Sequence, residues 1–179
     1  MRRFFFIFII ILVSAVMLCY CDFRQERAKV RYCNPKYLTD CVVFTGRKSR
    51  HEPYLTNMTG TLVVPFGNNV TIALTLQMKS GGDFRVTTKV CEAFQSKWMK
   101  EFTIRHTNLT LGHCPYPPGR YRYMNMELPP KNVPIPVADG DYYIRFQMLV
   151  TDTNEEICDL ITFLHFEQNK KPKKINKKT

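Results

Sequence analysis

The clearest strand pattern in the chain is Val70–Met78, with the sequence VTIALTLQM. Apolar residues occupy every second position, which is typical of a β-strand that buries one face. Residues 79–83, KSGGD, supply turn chemistry, and the same alternation resumes in residues 84–91, FRVTTKVC. The two runs therefore predict an antiparallel β-hairpin.

A second hairpin is predicted toward the C-terminus. Residues 141–150, DYYIRFQMLV, alternate in the same way, residues 151–156 interrupt the pattern, and residues 157–166 form the last predicted strand. About eight short antiparallel strands separated by Pro and Gly predict an all-β sandwich or barrel. One short helix is predicted at residues 92–100, and the shorter strands are predicted at residues 41–46, 58–65, 102–105 and 120–128.

The N-terminus has the pattern of a secretory signal peptide. Residues 1–3, MRR, precede an apolar run over residues 4–18, and these match the charged and apolar regions of such a signal. The run is shorter than the roughly 20 apolar residues that span a membrane, so we expect cleavage, placed after Cys21, in preference to a retained signal-anchor. The expected organisation is a signal peptide at residues 1–21, one domain at residues 22–168 and a tail at residues 169–179.

The tail accounts for much of the positive charge. The chain has a formal net charge of +11, and residues 169–179 contain six lysines and a single large apolar residue, Ile175. Such a segment cannot bury enough surface to fold, so we expect it to be disordered. Its expected role is solubility, with weak attraction to anionic lipid head groups or sulfated glycans as the alternative. Nucleic acid is not an expected partner, because a secreted chain rarely meets it.

Three sequons agree with secretion. Each has the form Asn-X-Thr without proline in the middle, which is the acceptor pattern for N-glycosylation. An acceptor that carries a glycan must lie on the surface, because a glycan is bulky and solvated. The predicted acceptors are Asn57, Asn69 and Asn108.

Secretion also predicts disulfide bonds. Cleavage after Cys21 leaves five cysteines, so two bonds would leave one cysteine over. The sequence alone does not determine the connectivity. The five cysteines are Cys33, Cys41, Cys91, Cys114 and Cys158.

A longer motif carries a family resemblance. Residues 113–119, HCPYPPG, precede an alternating strand with Tyr121 and Tyr123, and Pro134, Pro136 and residues 139–142, DGDY, follow it. This arrangement resembles a secreted family common in insects, a branch of the myeloid differentiation factor 2-related lipid-recognition (ML) superfamily, which includes the ganglioside activator protein. The resemblance covers roughly residues 30–166, and its distinctive part is residues 91–166.

The resemblance implies an immunoglobulin-like β-sandwich whose two sheets splay apart at one edge and admit acyl chains or similar apolar ligands. It implies a bond between Cys114 of the CP motif and Cys91, and a second bond from Cys158 to Cys33 or Cys41. The short loop between Cys33 and Cys41 is the main alternative for the second bond. The remaining cysteine would be buried, cross-link a dimer or, if cleavage falls before Cys21, pair with Cys21.

Inward-facing apolar residues are the candidates for lining a ligand cavity, because flexible Met and aromatic side chains suit adaptable apolar ligands. The alternative for each of them is an ordinary core position. Phe94 and Trp98 are candidates for a cavity lip, and the candidates for contact with an anionic head group are Lys97, Lys100, Arg120 and Arg122. The predicted lining residues are Leu74, Leu76, Phe84, Val86, Met124, Met126, Phe146, Met148 and Phe163.

The sequence offers little support for catalysis. It contains no G-x-S-x-G elbow, no phosphate-binding glycine loop and no H-E-x-x-H pair. We expect neither enzymatic activity nor a cofactor or bound metal. The four histidines do not have metal-ligand spacing; they are His51, His106, His113 and His165.

Together these observations predict a monomeric, secreted, extracellular protein that carries or presents a lipid or other hydrophobic small molecule between two β-sheets. Burial of the ligand would supply the affinity, at about 25 cal/mol per Å² of apolar surface. The alternative is an extracellular protein-interaction module that has a filled core and contacts a receptor protein through its outer faces or loops.

Overall fold

The structure, a computed structural model, describes residues 21–78, 81–110, 112–128 and 139–168. The predicted signal peptide, except Cys21, and the lysine-rich tail lie outside these residues. The described chain forms helices α1 (Val90–Ala93) and α2 (Lys97–His106) and eight strands. The strands are β1 (Cys21–Cys33), β2 (Leu38–Gly46), β3 (Leu55–Leu62), β4 (Val70–Met78), β5 (Asp83–Lys89), β6 (Gly119–Met126), β7 (Gly140–Val150) and β8 (Glu156–Gln168).

The eight strands form two sheets. The larger sheet has the order β1-β8-β7-β4-β5, and the smaller sheet has the order β2-β3-β6. Neighbouring strands are antiparallel throughout both sheets. The predicted all-β sandwich of about eight antiparallel strands is therefore confirmed.

The burial of strand β4 shows which face of the larger sheet packs against the core. Val70 and Ile72 are buried in the main hydrophobic cluster, and alternation places Leu74 and Leu76 on the same face of the strand. We call this the inner face of the larger sheet. Both predicted hairpins, β4 with β5 and β7 with β8, are present.

A bridge between two loops closes the main core. Phe66 and Tyr116 exchange backbone hydrogen bonds, with N···O distances of 3.0 and 2.7 Å, and both side chains are buried in the main cluster. Phe94 packs edge-on against Tyr116, with ring centroids 5.3 Å apart. The proline-rich segment after Cys114 is therefore anchored to the core next to α1.

The helical region differs from its prediction. One helix was expected at residues 92–100, whereas the structure has two, and residues 102–105, expected as a strand, belong to α2. The side chain of Ser96 caps α2 by accepting a hydrogen bond from the Met99 backbone N–H at 3.3 Å, and Thr103 is fully buried. A four-residue alternation is too short to distinguish a strand from one turn of a helix.

The strand β1 was not predicted from the sequence. Its residues, CDFRQERAKVRYC, are rich in charge, because β1 is an edge strand and its outward side chains meet solvent. It pairs with β8 along its whole length, from Cys21 opposite Gln168 to Cys33 opposite Cys158. Two irregularities in the register of this pair further obscure the alternation.

Candidate functional site

Six of the nine predicted lining residues lie together on the inner face of the larger sheet. They come from three neighbouring strands, β5, β4 and β7. In the ladder Leu74 is opposite both Val86 and Phe146, and Leu76 is opposite Phe84. The six residues, which we call the apolar inner patch, are Leu74, Leu76, Phe84, Val86, Phe146 and Met148.

The exposure of this face increases toward one edge. Ile72 is only 6% exposed, Leu74 and Leu76 are half-buried, and Val86 and Phe84 on β5 are 46% and 63% exposed. Strand β5 is the edge of the larger sheet, so no further strand covers its flank within the described sheet. The apolar inner patch therefore runs from the core to a solvent-exposed edge.

Large exposed apolar side chains that adjoin one another on a surface mark sites of ligand or partner binding more often than scattered ones do. Phe84 and Val86 are such a pair, because they alternate along β5 and point to the same face. The structure adds Ile144, which is half-buried opposite Leu76. The alternation that selects Phe146 and Met148 selects Ile144 equally, so the sequence contained this signal.

The opposite edge of the larger sheet is joined to the smaller sheet. The side chain of Gln25 on β1 donates a hydrogen bond to the hydroxyl of Thr56 on β3, and its carbonyl oxygen accepts one from the Leu128 backbone N–H at 2.9 Å. Gln25 and Thr56 are both buried, and so is Met126, a predicted lining residue opposite Thr56. Met126 thus belongs to the closed side of the sandwich.

Helix α2 packs against the edge strand β6 of the smaller sheet. Thr107, which follows the helix, forms a bridge with Tyr123, and a ring nitrogen of His106 lies 2.9 Å from the Met124 carbonyl oxygen. Burial raises the pKa of Tyr123 to about 12. Burial thus favours the uncharged phenol, and the ring belongs to the packing between β6 and α2.

Two predicted lining residues lie elsewhere. Phe163 on β8 is opposite Arg27 and Tyr143, which places it on the outer face of the larger sheet, with the Arg27 guanidinium 4.6 Å from its ring centroid. Met124 is exposed and alternates with Tyr123, so it points away from the larger sheet. Strand β8 is apolar on both faces, and alternation alone could not tell which face is inside.

The predicted lip and head-group contacts are also dispersed. Phe94 is part of the core through Tyr116, and Trp98 lies in α2, with its side chain outside the description. Lys97 and Lys100 are exposed on α2. Arg120 and Arg122 are exposed on β6 and alternate with Tyr121 and Tyr123, so the structure does not bring them to the apolar inner patch.

Two disulfide bonds are present among the residues that the structure describes. Cys91 is bonded to Cys114, the pairing that the family resemblance implied. Cys33 is bonded to Cys41, so the implied bond from Cys158 to one of these two residues is wrong. Cys158 is unpaired and 2% exposed, and burial raises the pKa of its thiol to about 12.

The three predicted glycosylation acceptors lie in different settings. Asn69 and Asn108 are exposed in loops, and their Nδ2 atoms donate hydrogen bonds to the carbonyl oxygens of Pro65 at 3.2 Å and Arg120 at 3.1 Å. Asn57 is half-buried within β3. The Asn57 side-chain oxygen accepts a hydrogen bond from the Asn125 backbone N–H at 2.6 Å.

Within the described ranges, no helix has the length and apolar character needed to cross a membrane. In the same part of the chain, no group of three or more His, Cys, Asp or Glu side chains is arranged to hold a metal ion. The disulfide bonds are compatible with an extracellular protein, because such bonds persist in oxidising compartments.

The fold and the site together define a disulfide-bonded all-β sandwich in which one apolar sheet face opens at an edge. Residues 82–144 match the family described as "Protein of unknown function (DUF1091)". The match covers about a third of the chain and includes α1, α2, β6 and the Cys91–Cys114 bond. Among curated proteins, none is similar enough to count as a match.

Proposed function

We propose that this protein is a secreted, extracellular carrier or presenter of a lipid or another hydrophobic small molecule, and that it has no enzymatic activity. The observation that carries the proposal is the apolar inner patch, which extends from the buried core to exposed Phe84 and Val86 on β5. The resemblance of the CP motif and its surroundings to the ML superfamily, including its insect branch, supports the same function.

The ligand would lie against β4 and β5 on the inner face, between the two sheets. The Gln25–Thr56 contact holds the sheets together on the β1 side, while β5 lies at the far edge of the larger sheet. An acyl chain that covers Phe84 and Val86 removes apolar surface from water, which stabilises the complex by about 25 cal/mol per Å². Contacts of this kind select a class of apolar ligands in preference to a single molecule.

The direct test is the uptake of a fluorescent fatty acid by delipidated protein secreted from a eukaryotic host, followed by displacement with unlabelled oleate. Saturable, stoichiometric uptake is expected. Organic extraction and native mass spectrometry of the untreated protein identify any ligand that is already bound. Absence of uptake by protein with both disulfide bonds intact contradicts the proposal and favours a filled-core module that contacts a receptor protein.

The chain provides a matched pair of variants for locating the ligand. Phe84 and Phe44 are both 63% exposed strand residues, but Phe84 belongs to the apolar inner patch and Phe44 lies on the outer face of the smaller sheet. We expect Phe84→Thr to weaken probe binding at least about tenfold, which corresponds to about 1.4 kcal/mol. Phe44→Thr should bind the probe as the wild type does; equal effects of the two variants would show that the ligand is bound elsewhere.

A further inference from the structure

A second group of exposed apolar side chains lies on the outer face of the smaller sheet. Val42 and Phe44 on β2 are 59% and 63% exposed, and Met124 on β6 is 41% exposed. We call these three residues the outer patch. They lie on the two edge strands, and β3 runs between them.

The sequon at residues 57–59 occupies the centre of this patch. Asn57 is directly opposite Phe44, and Thr59 is directly opposite Val42. On the other side of β3, the Asn57 side chain accepts its hydrogen bond from Asn125, the neighbour of Met124. Asn57 thus has Phe44 on one side and the chain next to Met124 on the other, whereas Thr59 has Val42 on one side and Arg122 on the other.

The orientation of the Asn57 side chain suits attachment of a glycan to its nitrogen. Its side-chain oxygen is engaged by the Asn125 N–H at 2.6 Å, whereas its Nδ2 donates no hydrogen bond to any described residue. A second predicted acceptor, Asn108, lies next to β6, where its side chain bonds to the backbone of Arg120 and Arg122. Two of the three sequons therefore border the smaller sheet.

Phe44 lies opposite Asn57 on the outer face of the smaller sheet, and its ring extends along β2. It lies over Gly46, where an added Cβ would come within 2.7 Å of the Phe44 Cε1 atom. Residues directly opposite in an antiparallel pair have Cβ atoms about 5 Å apart, which is close to the length of one sugar ring. The first sugar on Asn57 can therefore reach the Phe44 ring.

We propose that an N-linked glycan on Asn57 covers the outer patch, with its first N-acetylglucosamine packed against the ring of Phe44. The glycan then shields this face from a second copy of the chain and from other proteins. The inference rests on the extracellular location that is part of the proposed function. It does not depend on the apolar inner patch, because the outer patch faces away from the larger sheet.

The modification is a group transfer without oxidation or reduction. The donor is an oligosaccharide linked to a polyprenyl diphosphate. The Asn57 Nδ2 forms a bond to C1 of the first N-acetylglucosamine, the C1–O bond to the diphosphate breaks, and the polyprenyl diphosphate leaves with that electron pair. Nδ2 releases one proton to solvent and keeps the other, so that charge and atoms balance.

The test uses the full chain secreted from a eukaryotic host. Peptide mapping measures the occupancy of Asn57, and thermal unfolding compares wild type, Asn57→Gln, Phe44→Thr and the double variant. When residue 44 is the wild-type Phe, we expect Asn57→Gln to lower the unfolding midpoint by about 2–4 °C. In a chain of this size that shift corresponds to about 1 kcal/mol. The same change should have a much smaller effect in the Phe44→Thr background.

This comparison separates the effect of losing the glycan from the effect of losing the Asn57–Asn125 hydrogen bond. Asn57→Gln removes that hydrogen bond in both backgrounds, so its contribution cancels in the double-mutant cycle. Asn108→Gln is the control for loss of a glycan away from Phe44, and its effect should be the same whether or not Phe44 is present. Asn57→Gln should also increase the binding of an apolar surface dye several-fold, and Phe44→Thr should reverse this increase.

Three results would overturn the inference: an unmodified Asn57 in secreted protein, equal midpoint shifts in the two Phe44 backgrounds, or self-association of the glycosylated wild type that Phe44→Thr abolishes. The last result identifies a second copy as the occupant of the patch. Uptake of the fatty-acid probe is measured on the same samples. Normal uptake with an unmodified Asn57 contradicts only this inference, whereas failed uptake with an occupied Asn57 contradicts only the proposed ligand binding.

Discussion

Cys33 and Cys158 lie directly opposite each other on the neighbouring strands β1 and β8, yet Cys33 is bonded to Cys41. Opposed residues in an antiparallel pair have Cβ atoms about 4.5–5.5 Å apart, which is at or above the upper limit of the range seen in disulfide bonds, about 3.5–4.5 Å. Thiol–disulfide exchange needs a thiolate, and burial raises the pKa of Cys158 to about 12. Burial of the thiol therefore helps to preserve the observed pairing.

We predict that Cys41→Ser redirects the bond. With Cys41 absent, Cys158 is the cysteine nearest to Cys33 in the ladder, so oxidation in the secretory pathway should form a Cys33–Cys158 bond. Peptide mapping under non-reducing conditions detects it. The matched variant Cys33→Ser removes the cysteine opposite Cys158 and should leave Cys158 unpaired, as it is in the wild type; free Cys33 and Cys158 in the Cys41→Ser protein would contradict the prediction.

A second prediction concerns the loss of unfolding free energy at alkaline pH. An unfolded tyrosine has a pKa of about 10, and burial raises the pKa of Tyr123 to about 12 in the folded protein. The stability from this group is therefore fully present below pH 10 and is lost as the pH rises from about 10 to 12. Between pH 9 and 11.5 the wild type should lose about 2 kcal/mol more unfolding free energy than Tyr123→Phe.

Urea unfolding at a series of pH values measures this difference. Tyr32→Phe is a suitable control, because Tyr32 is an exposed tyrosine of β1 and its replacement should leave the pH dependence as in the wild type. Parallel pH profiles of Tyr123→Phe and wild type would show that Tyr123 is accessible to solvent beneath α2.

A third prediction uses the gradient of burial across the inner face. Ile72→Ala creates a cavity in the main core and should cost about 3 kcal/mol of unfolding free energy. Phe84→Ala removes a larger side chain but should cost less than about 1 kcal/mol, because the ring is mostly exposed. Urea unfolding of ligand-free protein measures both; equal costs would indicate that the β5 edge is covered in solution.

A fourth prediction concerns the outer face of the larger sheet. The Nε and Nη2 atoms of Arg145 donate hydrogen bonds to the two carboxylate oxygens of Asp159, at 3.0 and 2.9 Å. The Asp159 side chain is buried. The carboxylate also raises the pKa of Arg145. Asp159→Ala removes both of these hydrogen bonds and should cost about 2 kcal/mol. The cost is smaller than for a fully buried pair, because Arg145 is 33% exposed and keeps Glu156, whose Oε1 lies 3.6 Å from its Nη2.

Thermal and urea unfolding check this cost. Asp152→Ala is the matched control, since Asp152 is exposed in the β7–β8 turn and should change stability by less than about 0.5 kcal/mol. A similarly small effect of Asp159→Ala would mean that the ion pair only compensates for the cost of removing its charges from water.

Much of the fold could be predicted from local pattern. The strand Val70–Met78 and the two hairpins follow from alternation of period two, and six of the nine lining residues share one face because they were selected by that alternation. Phe163 was misplaced because both faces of β8 are apolar, and Met124 because β6 has an irregular register near its end. Strand β1 was missed because two irregularities in its register with β8 interrupt the alternation and because its buried residue Gln25 is polar.

The all-β class, the β4–β5 and β7–β8 hairpins and the apolar face of β4 follow from local sequence, since each of these depends on residues within a few positions of one another. Four other features become visible only in the folded chain: β5 is the open edge, Gln25 joins the sheets at the other side, Cys33 pairs with Cys41, and Asn57 is opposite Phe44. These features depend on the order and register of strands that are distant in the chain. Local alternation does not specify that order, because every strand with one apolar face presents the same pattern to any partner.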